Sequence, residues 1–294
     1  MIFEDYRRYL FSIAYRMLGT VMDAEDMVQE CWLKWQAADR AAVKSPKGFL
    51  ATMITRLCIE HLRSAKAQRE SYIGPWLPEP LLTDKIPTVE ETAALADTLS
   101  TAFLLLLERL PPVERAAFLL REVFDYPYDE IADVLEKSPA NCRKIVSRAK
   151  KRLSPDLDTH SQPGFIPSPE KQEALITAFF QSVINGDLAG LTAMLAEDAV
   201  AITDSGGKAT AAKRPIFGGS NVAKFFLGLR KQAPENFTIG LESINGQRAI
   251  AIYENGRATS LISFVINEAG RITAAHNWRN PDKLGRIPKQ NTVH

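Results

Sequence analysis

The chain has 294 residues, 46% of them hydrophobic and 24% charged, which is the make-up of an ordinary globular protein with length for two or three domains. No apolar run approaches the roughly 20 residues that cross a bilayer. The opening MIFEDYRRYL also lacks a basic-then-apolar signal pattern, so a cytoplasmic location with no membrane partner is expected. The net charge of +1 averages opposite local charges: seven basic and no acidic residues from Lys137 to Arg152, four acidic and no basic ones from Asp23 to Glu30. Such asymmetry fits a polyanion at one place and a basic or apolar protein surface at another. The cysteines, Cys31, Cys58 and Cys142, are odd in number and lack metal-ligand spacing, so they read as small buried hydrophobes; no metal and no cofactor are expected.

Residues 1–70 carry helical periodicity, broken at Pro46. Within DAEDMVQECWLKW (23–35), Ala24, Met27, Val28, Cys31 and Trp35 form an apolar stripe, while Asp23, Asp26, Glu30 and Leu33 project from the other face. An acidic strip with one exposed leucine is either a solvated face or a docking surface for a basic protein. In KGFLATMITRLCIEHLRSAKAQR (47–69), Phe49, Met53, Leu57 and Leu62 suggest the buried side, with Arg56, His61, Arg63, Lys66 and Arg69 as basic groups beside it. Basic and apolar residues interleaved this way suit single-stranded DNA, or simply an amphipathic helix with a basic outer face.

Four prolines between residues 71 and 90 forbid a continuous helix or central strand, and an ordered or semi-extended linker is expected there. Residues 91–153 are helical again, with breaks at Pro111-Pro112, near Pro127 and at Ser138-Pro139.

The sharpest constellation is YDEIADVLEKSPANCRKIVSRAKKRL (128–153). A first helix ends at Leu135, Ser138 is a good N-cap, and Pro139 falls at the first helical position. The second helix then sets Cys142, Ile145, Val146, Ala149 and Leu153 on one face and Arg143, Lys144, Ser147, Arg148 and Lys151 on the other. Two helices, a short turn, an apolar inner face and a basic outer face describe a helix-turn-helix; the alternative is a solvated basic face. Asn141, Arg143, Lys144 and Ser147, near the helix start, are the candidates for base contacts. Arg148, Lys150, Lys151 and Arg152 are the candidates for phosphates. Glu136-Lys137 stands where such turns often place glycine, so a left-handed residue there costs on the order of 1 kcal/mol.

A second proline-rich linker occupies 154–169. Beyond it, residues 170–196 read as two helices broken at Asn185-Gly186-Asp187. Strands are expected at Val200–Thr203, Phe237–Ile244, Arg248–Tyr253, Thr259–Ile266 and Ile272–Trp278. Asn245-Gly246, Asn255-Gly256 and Glu268-Ala269-Gly270 mark the turns. The chain is thus multidomain: all-α to residue 153 and α+β beyond.

These pieces, in this order, resemble the extracytoplasmic-function sigma factors. DAEDMVQECWLKW with FLATMITRLCIEHLR is similar to sigma region two, and LERLPPVERAAFLLREVFDYPYDEIADVLEKSPANCRKIVSRAKKRL to sigma region four. Three further stretches resemble the subgroup that carries a fused SnoaL-like domain: Trp76-Leu77-Pro78-Glu79-Pro80, Asp204-Ser205-Gly206-Gly207-Lys208 and Asn280-Pro281-Asp282-Lys283-Leu284. Ser205 stands where that subgroup usually has another glycine. The resemblance implies region two at 1–70, region four at 91–153, and a cone-shaped SnoaL-like regulatory domain at 170–294. It implies that Asp23, Asp26, Gln29, Glu30, Trp32 and Leu33 bind core RNA polymerase at the β′ clamp helices, with the β subunit also in contact. The basic helix, through Arg56, His61, Arg63 and Lys66, would open the minus-ten element of promoter DNA, and the helix from Ser138 would read the minus-thirty-five element. No separate anti-sigma factor would be required, because the appended domain does that work.

The fused domain is read as non-enzymatic. Asp204, His276, Asn277 and Asp282 are the polar candidates for lining its cone, but nothing in their spacing brings an acid and a base to one substrate atom. A small molecule in the cone is a candidate input that no residue identifies. The tail is expected to pack on the first linker and so hold the two sigma regions in one arrangement. Two rivals remain: a helix-turn-helix regulator that acts without polymerase, and a cyclase-like enzyme with a DNA-binding anchor.

Overall fold

The computed structural model describes residues 2–64, 72–83, 98–157, 167–234 and 236–289. They form two compact units, one from 2–64 with 103–157, the other from 72–83 and 98–102 with 167–289.

The first unit is helical: α1 (Ile2–Leu18), α2 (Val21–Ala37), α3 (Pro46–Ser64), α4 (Thr101–Leu107), α5 (Pro112–Phe118), α6 (Tyr128–Leu135) and α7 (Pro139–Leu157). A π turn, Leu119–Val123, continues α5. The first three helices bury a stripe each, among them Leu10, Ile13 and Met17 of α1, Val28, Cys31 and Trp35 of α2, and Leu50, Ile54 and Cys58 of α3. All three cysteines are buried and free, and burial pushes the Cys31 thiol up to about 12. The buried side of α3 holds Leu57 and Leu62 as the sequence predicts but is turned over its first two turns. Phe49 is exposed, resting its ring on Trp35 at 5.8 Å, and Met53 is half-buried. Leu50, Ala51, Ile54 and Thr55 take the core instead, because the helix meets packing on two sides rather than along one narrow stripe.

The second unit opens with α8 (Pro169–Asn185) and α9 (Leu188–Met194), joined where Gly186 takes φ 71° and Asp187 accepts from Gly190 N. There follow β1 (Leu195–Asp204), β2 (Ile216–Phe217), α10 (Gly219–Gln232), β3 (Thr238–Ile244), β4 (Gln247–Glu254), β5 (Arg257–Ile266), β6 (Ile272–Trp278) and α11 (Pro281–Leu284). The strands form one sheet in the order β2-β1-β6-β5-β4-β3, antiparallel except for the β1–β6 pair. Asn245-Gly246 and Asn255-Gly256 turn with both residues at positive φ, the geometry of a two-residue hairpin. Sequence reading missed β2 and α10, and it began β1 five residues late. The helices cover one face of the sheet around Phe179, Phe226 and Phe264, as in a SnoaL-like cone.

The first linker is part of this fold. Leu82 bridges Ile244 at the free edge of β3, Thr83 N donates to Ser243 O, and Asn245 N donates to Leu81 O. Asn245 Oδ1 accepts from Leu81 N and its Nδ2 donates to Leu99 O, so one buried asparagine ties the linker at Leu81 to Leu99.

Candidate functional site

The helix-turn-helix is built from its turn. Glu136 ends α6 in the left-handed region at φ 55°, and Lys137 N reaches back to Ala132 O at 3.0 Å. Ser138 Oγ accepts from Asn141 N at 3.3 Å and starts α7. Cys142, Ile145, Val146, Ala149 and Leu153 are buried, whereas Asn141, Arg143, Lys144, Ser147, Arg148, Lys151 and Arg152 are exposed. The Arg143 guanidinium lies over the Tyr128 ring at 5.1 Å. Arg148 and Arg152, expected at phosphates, each stand 3.4 Å from the carboxylate of Glu114, and Lys150 pairs with Glu122 at 2.7 Å. The Glu114 side chain is only 10% exposed, and a carboxylate so withdrawn from water draws in whatever cation is near.

On α2, Met22, Asp26, Gln29 and Leu33 follow one another at i, i+4, i+7 and i+11, a single exposed stripe. Met22 is 62% and Leu33 58% exposed; the methionine went unnoticed in the sequence because it precedes the acidic run. Trp32 is half-buried with its ring 5.0 Å from that of Phe3, Glu30 pairs with Lys34 at 3.2 Å, and Asp23 meets His61 at 3.6 Å. His61, expected on DNA, is therefore engaged within its own bundle; Arg63 is exposed, and Lys66 lies outside the described residues.

Arg56 is placed differently from the DNA contact expected of it. Its Nε donates to Val134 O at 2.9 Å, its Nη2 to Asp133 O at 2.6 Å, and its Nη1 stands 3.1 Å from Glu136. The guanidinium thus satisfies the carbonyls left open at the C-terminus of α6, where a cation is favoured. With the Tyr9–Tyr126 hydroxyl pair at 2.7 Å and Arg115 Nη1 donating to Met17 O at 2.6 Å, it fastens α1–α3 to α4–α7.

In the second unit the three quoted motifs meet at Asp204, whose side chain is fully buried. Its Oδ1 accepts from Tyr72 OH at 2.5 Å and Gly206 N at 3.1 Å; its Oδ2 accepts from Leu77 N at 2.8 Å and Lys283 Nζ at 2.7 Å. Lys283 Nζ also donates to Leu77 O and sits 4.4 Å from the Trp76 ring centroid. Trp278 Nε1 donates to Pro78 O at 2.6 Å, and Arg286 reaches Glu79 at 3.5 Å. Leu77, Pro78, Glu79 and Pro80 are buried. Asn280 starts α11 by accepting from Asp282 N, Pro281 follows it, and Leu284 closes the helix in the core. Lys208 and Asp282 form an exposed ion pair. Gly206 has φ 56°, and a Cβ there would lie 2.5 Å from Asn280 Nδ2, so the loop needs glycine; Gly207 is likewise at positive φ.

The expected cone lining is corrected by this cluster. Asp204 faces the linker, Asp282 is exposed in its pair with Lys208, and His276 is 2% exposed with its Nδ1 unpartnered among the described residues. Desolvation pushes the His276 imidazole down to about 4. Of the four candidates, only Asn277 lines the cavity of the cone.

Comparison with known proteins follows the same division. Residues 2–68 match the family described as Sigma-70 region 2, and residues 100–153 the family described as Sigma-70, region 4. The chain is similar to the ECF RNA polymerase sigma factor SigJ of Mycobacterium tuberculosis, 35% identical over 97% of this chain and 93% of that protein. It is also similar to the probable ECF RNA polymerase sigma factor SigI of the same species, 29% identical over 95% of this chain and 92% of the relative. The crystal structure of the Mycobacterium tuberculosis extracytoplasmic function sigma factor SigJ matches with a TM-score of 0.76 at 31% identity, covering 98% of this chain and 99% of that one.

Proposed function

The chain belongs to the extracytoplasmic-function RNA polymerase sigma factors, in the subgroup with a fused SnoaL-like domain, and we propose that its fused domain controls promoter reading by clasping the linker between the two sigma regions. Sigma factors bind core RNA polymerase and promoter DNA and direct the initiation of transcription. The Met22–Leu33 stripe of α2, with Asp23, Glu30 and Trp32 beside it, is the docking face for the β′ clamp helices. Asn141, Arg143, Lys144 and Ser147 read the minus-thirty-five element, with Lys151 on phosphates and Arg148 and Arg152 joining it once they leave Glu114. Arg63 and Lys66, with His61 and Arg56 after release, serve the minus-ten element.

Two elements roughly 20 base pairs apart lie about 70 Å apart along the duplex at 3.4 Å per pair. Helices α3 and α6 joined through Arg56 do not straddle that distance, so the helical unit opens to work. Residues 64 and 101 are separated by a chain that reaches about 120 Å when free and far less when its middle is held. The observation that carries the reading is the Asp204 carboxylate, which takes Leu77 N of the linker and Lys283 of the tail together. On this reading the fused domain replaces a separate anti-sigma factor, and its activity is restraint rather than turnover. Promoter-dependent transcription by reconstituted polymerase tests it. Trp76→Ala and, separately, Lys283→Met should each change the yield relative to the unaltered chain; unchanged transcription in both variants removes the proposal.

A further inference from the structure

The cone holds a half-open cavity of about 300 Å³, within the size range of small-molecule sites. Its walls are largely apolar, with Phe180, Val183, Phe226 and Ile262 among them. Among the described residues, the buried side-chain atoms of its lining that lack a partner are all donors. Asn277 is 1% exposed and its Oδ1 accepts from Ser260 Oγ at 2.6 Å, which fixes the amide so that Nδ2 has no acceptor among the described residues. Arg279 and Arg230 also line the cavity, and the buried Nε of each lacks an acceptor among the described residues. Arg279 spends one Nη on Thr210 O at 2.6 Å, and the Arg230 guanidinium lies over Phe237 at 5.5 Å. Glu254 is the carboxylate of the lining, and Thr259 Oγ1 donates to it at 3.0 Å.

We propose that this cavity binds a small amphipathic carboxylate, its apolar body against the phenylalanines and its oxygens on Asn277, Arg279 and Arg230. A carboxylate has acceptors only, in the number and charge that an amide N–H and two guanidinium edges ask for. A neutral alcohol or amine brings a donor that these groups leave unmatched.

Its consequence follows from the strand that carries the site, and this part rests on the linker-clasp reading. Asn277 and Arg279 face the cavity, whereas the intervening Trp278 bonds to Pro78 O and the next residue, Asn280, bonds to Tyr72 OH. Arg279 N and Asn280 N both donate to the backbone oxygen of Asp204, whose carboxylate holds Leu77 N. A ligand that fits the cavity in this form selects the form in which the linker is clasped, since binding favours the state it matches. The carboxylate therefore tightens the clasp.

Titration of the full chain with a panel of straight-chain acids from octanoate to dodecanoate, together with 4-phenylbutyrate, tests the site by calorimetry. At least one acid should bind saturably. Its primary amide should bind at least tenfold more weakly, as should the acid itself to Arg230→Gln or Asn277→Leu variants with unaltered circular dichroism. Arg230 ends α10 and is half-exposed, so its variant keeps the test alive if the buried asparagine cannot be replaced. Bound acid should slow hydrogen exchange at Leu77 N. No saturable binding across the panel, equal affinity for acid and amide, or indifference to both variants overturns the site; faster or unchanged exchange at Leu77 overturns the tightening. The clasp reading fails separately, in ligand-free transcription by Trp76→Ala, so the two failures are distinguishable.

Discussion

Lys283 and Asp204 meet at 2.7 Å with their side chains 9% and 0% exposed, a buried ion pair that joins the C-terminal tail to the strand end beneath the linker. Removing one member leaves the other charge buried without its counter-ion, at a cost of about 3–5 kcal/mol. Asp204→Ala and Lys283→Met should each lower the stability of the second unit by that order, and the double variant should lose markedly less than the sum. Chemical denaturation of the four proteins checks the coupling.

Arg56 supplies a prediction whose sign separates two roles. As a fastening of α3 to α6, its replacement by alanine should loosen the helical unit and raise protease sensitivity in the free chain. As a plain DNA contact, its replacement would leave the free chain unaltered and only weaken promoter binding. Limited proteolysis without DNA distinguishes them, and faster cleavage is expected.

On α7, Arg143→Ala and Lys144→Ala should each cost about 1–3 kcal/mol in binding to the preferred minus-thirty-five sequence and relax its specificity. Lys151→Ala should weaken binding to all sequences alike and reduce the salt slope by roughly one. Fluorescence titrations on matched and scrambled duplexes at several salt concentrations report both quantities.

His276 makes the stability of the second unit depend on pH. Burial holds its imidazole down at about 4, below the ordinary value of 6.5, so the unfolded chain binds a proton that the folded chain refuses. The contribution is fully present above about 6.5 and is lost as pH falls from there through about 4, for roughly 3 kcal/mol in all. Thermal melts across that range should show the loss, and His276→Gln should remove this portion of it.

The helices proposed to meet DNA and polymerase were legible in the sequence because capping and periodicity act locally. Ser138 with Pro139 announced α7, and Asn-Gly pairs announced two of the hairpins. What escaped was set by tertiary structure. Helix α10 begins at Gly218-Gly219 with no side-chain cap, so its start reads as a turn. Glu197 and Asp198 are exposed on β1, which hides the front of that strand, and its parallel pairing with β6 has no local signature. Prolines mark 75–80 as non-helical, yet nothing in them tells that Leu77 is fully buried under Asp204. The engagement of Arg56 with α6 was likewise invisible, since its partners are backbone carbonyls 77 and 78 residues away.

The most direct test of the whole account is assembly with core RNA polymerase, measured by size-exclusion chromatography and run-off transcription from a selected promoter. The unaltered chain should co-elute with the polymerase and start transcripts at one position, and the Asp26→Lys/Leu33→Asp variant, with its fold intact by circular dichroism, should do neither. A chain that stays apart from the polymerase, or a variant that joins it as well as the parent, would contradict the account.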